Sequence, residues 1–343
     1  MDERIKLLLK KTSRFQFLAV VLAVVCLLVF LVLNFSWNEH NGAFEGGSHA
    51  NKEVSIPLNR ENLENLQIDA DDVTLEIGMV SNLTEPQVRL NGQGYTNQIA
   101  KVDIDGTDCN IALKGETASP ERLTMQVLLP QCDLNKVIIN GSNVNLHVER
   151  LRSNYLGAKI DSGYGYITDV KVNGLEVIAM DNPIRLANNR ASSVKIDSSV
   201  GSVTFMENSF DQVSVDNDEG GIFVYDKRAK GQWNLQSQTG DITVLSKNLP
   251  YNLLVQAKAE GNGKVNVGYN KRYWKDADIV KSSSSQYYGS AGNNPNKIIQ
   301  CYTIDGNINV GQRERYSNLD PYASNYPYAK ANPYTVERST KTK

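Results

Sequence analysis

Lys195-Ile-Asp-Ser-Ser-Val-Gly-Ser-Val203, Ser214-Val-Asp-Asn-Asp-Glu-Gly-Gly-Ile222 and Asn234-Leu-Gln-Ser-Gln-Thr-Gly-Asp-Ile242 are three copies of one phrase. An apolar residue alternates with polar ones, a turn with glycine follows, and a second apolar pair begins. A fourth copy, Lys159-Ile-Asp-Ser-Gly-Tyr-Gly-Tyr-Ile167, lies upstream. Alternation at period 2 on both sides of a turn describes two short strands, each with one inward face. With the first aliphatic residue as a marker, the phrase recurs at Ile139, Ile160, Val177, Ile196, Val215, Leu235 and Val255, and returns after an insertion at Ile304. A repeat of about 20 residues is too short for a strand plus a full helix. It can hide its apolar face only by stacking on its neighbours, which makes a β-solenoid with one coil per repeat.

The columns around the marker support the stacking. Two residues before it stand Val137, Ala158, Leu175, Val194, Val213, Trp233 and Leu253. Two residues after it stand Gly141, Ser162, Ala179, Ser198, Asn217, Ser237 and Ala257, all small. The second apolar pair is Val203/Phe205, Ile222/Val224, Ile242/Val244, Val265/Val267 and Ile308/Val310. Lys159, Glu176 and Lys195, one place before the marker, are expected to form an alternating ion ladder at a strand spacing of about 4.8 Å. The competing architecture is a β-sandwich, which also shows strands every 8–12 residues. Column-by-column agreement of residue class favours the solenoid.

Upstream, Leu66-Gln-Ile68 and Val102-Asp-Ile104 repeat the phrase at a wider spacing, so residues 53–135 are expected to form an irregular β cap. The solenoid proper spans 136–312, with a loop insertion at 275–296. At its far end Gln312-Arg-Glu-Arg315 follows the last inward Val310, and this charge is expected to stop another coil from docking.

Phe15–Phe35 is 21 residues without a charge. At ~1.5 Å per residue it spans about 31 Å, one bilayer core. Arg4, Lys6, Lys10, Lys11 and Arg14 precede it, whereas residues 36–55 hold only Lys52. The positive-inside rule then sets segment 1–14 in the cytoplasm and everything beyond the span outside, in a single-pass protein of the cytoplasmic membrane. A cleaved signal peptide would have an apolar run of about 7–15 residues ending in a small-x-small site. This run is longer and leads into Asn34-Phe35-Ser36-Trp37. Residues 36–52 read as a flexible spacer. Residues 313–343, with Tyr316, Tyr322, Tyr326, Tyr328 and Tyr334 among Pro, Asn and Ser, read as a disordered tail. Those rings are of a kind that stacks on sugars, although a plain solvated tail has the same composition.

The phrase resembles a bacterial family of membrane-tethered "putative adhesin" domains of unknown function. The resemblance is carried by Thr239-Gly-Asp-Ile-Thr-Val244, Asp305-Gly-Asn-Ile-Asn-Val310, Leu129-Pro130 and Leu249-Pro250, and covers about residues 60–311. It implies a single-stranded β-helix outside the cytoplasmic membrane; some relatives are encoded beside envelope-stress signalling systems. Asp181-Asn-Pro-Ile184 departs from the family's turn. The family has no agreed catalytic residues, so none transfers.

Signals of chemistry are sparse. The chain has 343 residues with 36 Lys+Arg against 38 Asp+Glu, net −2, and no cationic cluster of the kind that binds nucleic acid. Its 36 asparagines suit many tight turns. Asp161, Asp197, Asp216 and Asp305 are the outward acids, with Gln236 and Gln256 in the equivalent places. Acids beside turns bond to local backbone, and the nonapeptide pattern of calcium-loaded β-rolls is lacking. The histidines are His40, His49 and His147, two of them in the spacer, which gives no triad and no zinc set. No nucleophile elbow or phosphate loop occurs. A carboxylate pair for glycoside hydrolysis needs only spatial proximity and leaves no sequence signature. Cys26 lies in the apolar span; Cys109, Cys132 and Cys301 fit either a Cys109–Cys132 bridge or buried free thiols.

The reading is a non-catalytic, membrane-anchored envelope scaffold or adhesin-like module without cofactor, metal or catalytic residues. Its partner is a cell-envelope polymer or another membrane protein, met by the regular sheet face. The alternatives are a regulatory partner of an envelope-stress sensor and, less favoured, a β-helix polysaccharide lyase or hydrolase.

Overall fold

The computed structural model describes residues 52–55, 63–92, 99–114, 123–226, 231–246, 252–268, 278–282, 284–291 and 295–312. The basic segment, the apolar span 15–35, most of the spacer and the tail lie outside the described residues. Among the described residues no helix is long and apolar enough to cross a membrane.

In chain order the strands are β1 (Lys52–Ser55), β2 (Asn65–Ala70), β3 (Val73–Val80), β4 (Gln87–Gly92), β5 (Ile99–Asp105), β6 (Asp108–Lys114), β7 (Leu123–Pro130) and β8 (Leu134–Gly141). Next come β9 (Val144–Glu149), β10 (Arg152–Thr168), β11 (Lys171–Asp181), β12 (Ile184–Ala187), β13 (Arg190–Val200), β14 (Val203–Met206), β15 (Ser209–Glu219) and β16 (Ile222–Asp226). The last are β17 (Gln232–Thr239), β18 (Ile242–Ser246), β19 (Leu253–Ala259), β20 (Val265–Gly268), β21 (Asp278–Ser282), β22 (Gln286–Ala291), β23 (Lys297–Asp305) and β24 (Ile308–Gln312).

These strands build a two-sided solenoid. Sheet I stacks β6, β2, β8, the first half of β10, β11, β13, β15, β17, β23 and β19, all parallel. Sheet II stacks β7, β3, β9, the second half of β10, β12, β14, β16, β18, β24 and β20, also parallel. Each coil passes once through each sheet.

The register corrects the sequence columns. Ile139, Ala158, Val177, Ile196 and Val215 stand side by side, a step of 19 residues, followed by Leu235, Cys301 and Ala257. Ile160 and Val255 are each two places out of that column, and Ile304 is 43% exposed. The second apolar pair lines up as expected, with Val203, Ile222, Ile242, Ile308 and Val265 in one row. Lys159 pairs with Ile178 rather than Glu176. The ion ladder is therefore only Glu176–Lys195 at 3.5 Å, with Lys195 also 2.7 Å from Asp197.

Both ends of the stack depart from chain order. The coil β2–β3 lies between β6–β7 and β8–β9. The coil β23–β24, last in sequence, lies between β17–β18 and β19–β20. Residues 53–135 thus supply two regular coils, and among the described residues only β1, β4 and β5 are antiparallel cover on the outermost one. The 275–296 insertion is not merely a loop: β21 and β22 pair antiparallel, and β22 covers the outer edge of β19. Because β24 is interior, Val310 does not end the stack; the charged residues 313–315 expected to guard it lie outside the described residues.

Each corner has its own chemistry. Where sheet II hands over to sheet I, Arg150, Asp169, Asn188 and Glu207 take left-handed backbone (φ 53 to 57°), one per coil. The next residue in two coils is a buried asparagine. Asn189 accepts from the Val170 amide (2.8 Å) and donates to the Ile167 carbonyl (2.8 Å), and Asn208 repeats this on Asn189 and Leu186. Such a ladder satisfies buried backbone groups and ties one coil to the next. At the opposite corner Gly201 and Gly220 have φ of 124 and 125°, and a Cβ on Gly220 would lie 2.1 Å from the Gly201 carbonyl oxygen. The core fills the gap between sheets with aliphatic rows and one aromatic cluster, where Phe205 meets Phe210 at 6.1 Å and Trp233 at 5.6 Å.

Candidate functional site

Sheet I turns its inward residues to the core and leaves a long, flat outer face. Two adjacent rows of that face change character toward the chain's C-terminal end. The first runs Lys195, Ser214, Asn234, Gln300, Gln256, Tyr288 across neighbouring strands. The second runs Asp197, Asp216, Gln236, Tyr302, Lys258, Gln286. Charges give way to amides and phenol rings spaced about 4.8 Å apart by the strands. From Asn234 and Gln236 onward the two rows line a shallow depression of about 420 Å³.

The side chains of this platform hold one another. Gln300 donates to Gln256 (2.5 Å), and Gln236 donates to Asn234 (3.4 Å). Lys258 donates to Glu260 (2.5 Å), and its Nζ stands 5.5 Å from the centre of the Tyr302 ring. The hydrogen bond to Glu260 holds the Lys258 ammonium above its ordinary range, and the same bond holds the Glu260 carboxyl below its own. Tyr302 is pushed up by burial and by its bond to Glu260; Tyr287 is pushed up by burial. Tyr302 is thus a neutral phenol and Lys258 an ammonium at neutral pH. Amide donors and acceptors beside ring faces are the groups that bind sugar hydroxyls and stack on sugar rings.

The four outward acids do not converge. Asp197 and Asp216 are register neighbours, but Asp305 is opposite Thr239, and Asp161 precedes Ser162, whose partner is Asp181. Among the described residues no three His, Cys, Asp or Glu side chains are grouped to hold a metal. His147 lies on the outer face of sheet II between Glu76 and Tyr166, its ring 5.1 Å from that of Tyr166. Burial lowers its pKa, against the opposing pull of Glu149 and Glu76. His40 and His49 lie outside the described residues. Cys109, Cys132 and Cys301 are outside any disulfide, so no Cys109–Cys132 bridge forms.

Gln300, Tyr302 and Tyr288 were not legible as site residues, because Gln300 and Tyr302 arrive through the out-of-order coil and Tyr288 through the antiparallel cover β22. The available signal was the alternation of amides at outward places: Asn234, Gln236, Gln256 and Gln300.

A family model described as Toastrack DUF4097 matches residues 43–311. Among solved structures, one from Clostridium sporogenes described as "a putative cell adhesion protein" is 15% identical, covering 76% of this chain and 99% of that one at a TM-score of 0.28. Another, from Parabacteroides merdae and described as "a putative adhesin", is 12% identical, covering 59% of this chain and 90% of that one at a TM-score of 0.36. No curated protein matches the chain.

Proposed function

The chain belongs to the Toastrack DUF4097 family, a domain of unknown function, and on that premise we propose that it is a non-catalytic binding module tethered to the cytoplasmic membrane by residues 15–35. The solenoid stands outside the membrane and lays the outer face of sheet I along a cell-envelope polymer. The observation that carries this reading is the platform, where Asn234, Gln300, Gln256 and Tyr288 in one row adjoin Gln236, Tyr302 and Lys258 in the next. Its amides and phenols are suited to binding, and the carboxylate beside Lys258, that of Glu260, is engaged by that ammonium. A solenoid face is also longer than a pocket, so it suits an extended ligand.

The test is co-sedimentation of the full-length chain, purified in neutral detergent, with isolated bacterial envelopes. The chain is expected in the pellet, and Tyr288→Ala with Tyr302→Ala is expected to shift it several-fold toward the supernatant. A native chain that stays soluble, or a double variant that pellets as fully, refutes the reading. For orientation, a reporter that works only outside the cytoplasm is expected to be active when fused after Lys343. Protection of residues 60–310 from protease added to spheroplasts would reverse the assignment.

A further inference from the structure

At the other edge of the same sheet face three cations occupy successive rungs. Arg152 opens β10, Lys171 opens β11 and Arg190 opens β13, and the register sets Arg152 beside Lys171 and Lys171 beside Arg190. All three are exposed, and among the described residues no ion pair joins any of them. Like charges directly opposite one another on a sheet repel. Elsewhere on this sheet the same fold answers a cation with an acid, as at Lys195 and Glu176. The neighbouring outward row is an amide ladder: Asn173 donates to Asn154 (3.2 Å), Asn154 to Asn135 (3.3 Å) and Asn135 to Asn65 (3.1 Å). Cations and amides line one groove of about 700 Å³. The acids on its wall are Glu64 and Asp133 toward one end and Asp211 toward the other, which leaves the three cations in the middle.

We propose that this groove binds a linear anionic glycopolymer, one oxyanion of each successive repeat meeting one of Arg152, Lys171 and Arg190. Charge complementarity at a fixed pitch favours this ligand. The rungs repeat at about 4.8 Å, which sets three cations in a line for a ligand that carries its anions in a line. The two guanidinium groups suit planar bidentate contact with a carboxylate or phosphate oxygen pair, and the ammonium between them acts as a point charge. Asn154 and Asn173 are placed to meet hydroxyls of the intervening sugar. The proposal rests on the envelope-binding reading and names the chemistry of its ligand.

The test uses the full-length chain in neutral detergent and three probes: polygalacturonate, poly(glycerol phosphate) and uncharged dextran. At low salt one or both anionic polymers are expected to bind, weakening as salt is raised, while dextran binds at least tenfold less tightly. The two anionic probes separate a carboxylate source from a phosphate source. R152Q/K171Q/R190Q is expected to weaken that binding at least tenfold. K101Q/K159Q/K264Q, which removes as many charges away from the groove, is expected to weaken it less than twofold. Since all three groove residues are exposed, the triple variant should melt at or above the native temperature, as their mutual repulsion is gone. Equal losses in the two variants would mean diffuse attraction and overturn the site. Equally tight binding of single-stranded RNA overturns the glycopolymer assignment. If neither anionic polymer binds while envelopes still pellet the chain, this inference fails and the platform reading stands. If an anionic polymer binds through the three cations but Tyr288→Ala with Tyr302→Ala leaves envelope pelleting unchanged, the platform reading fails and the groove stands.

Discussion

Ile308 and Val265 offer a direct test of the out-of-order coil at the C-terminal end. They share one row of sheet II, with Ile308 between Ile242 and Val265. Ile308 is fully buried, and Val265 is only half-buried. Ile308→Ala deletes three carbons from a site covered on both sides, about 2.4 kcal/mol at roughly 0.8 kcal/mol per buried carbon. A cavity that the flanking coils cannot close adds to this, giving about 3–4 kcal/mol. Val265→Ala deletes two carbons at half burial, about 0.8 kcal/mol on the same scale. Urea unfolding of the full-length chain, read as the shift in midpoint at unchanged slope, measures both. If coils stacked in chain order, Val265 would be the enclosed residue and Ile308 the outermost. A larger loss for Val265→Ala than for Ile308→Ala would therefore refute the interleaved order.

The remaining expectations use the same unfolding assay or simple chemistry. Phe205→Ala should destabilise by about 3–5 kcal/mol, since the ring is fully buried against Phe210 and Trp233, whereas Lys195→Ala should leave the midpoint in place. Gly240→Ala should be strongly destabilising, because its Cβ would lie 2.1 Å from the Gly220 carbonyl oxygen; Gly106→Ala, with open space and φ of 60°, should lose only about 1–2 kcal/mol. A thiol reagent at pH 8 should label Cys132 in the native protein but reach Cys109 and Cys301 only on unfolding, and labelling of Cys301 in the native state would contradict its burial. Burial pushes the Cys109 thiol up to about 11 and that of Cys301 up to about 12. The unfolded thiols ionise near 9 while the folded ones stay protonated, so stability is full below pH 9 and falls as pH rises from there toward 12. Cys301→Ala should flatten that alkaline fall.

The middle of the solenoid was legible because its rows are written in the sequence at a fixed interval. Val203, Ile222 and Ile242 were placed in one row by spacing alone, and they pair as expected. The slips at Ile160 and Val255 have one cause. In a strand a shift of two residues returns a side chain to the same face, so an apolar pattern such as Leu156, Ala158, Ile160 reads equally well in either register. Hydrogen bonding at the corners breaks that tie, and corner geometry is not an apolar pattern. Ile304 misled for another reason: the inward places of β23 are held by Ile299, Cys301 and Thr303, the last bonded to the Gly240 carbonyl, so the strand's true phase is partly polar. The order of coils could not be read at all, because every coil presents the same inward pattern to whichever neighbour it meets.

That blind spot coincides with the candidate site. Asn234 and Gln256 are separated in space by Gln300, which arrives from a strand more than 40 residues further on. Without the returning coil the platform would lose Gln300 and Tyr302, and Lys258 would lose the ring beside it. The same return buries β23 and β24 between two coils on each sheet, so an element near the end of the described chain is held on both edges and is not left to fray. The outermost strand of sheet I, β19, is then covered by antiparallel β22, which brings Tyr288 beside Gln256. An exposed parallel edge is a template for further strands, and antiparallel cover removes it. The device that closes the stack is thus also the one that assembles its amide and tyrosine face. A polymer bound there would rest on strands whose order depends on the chain having folded back into its own solenoid.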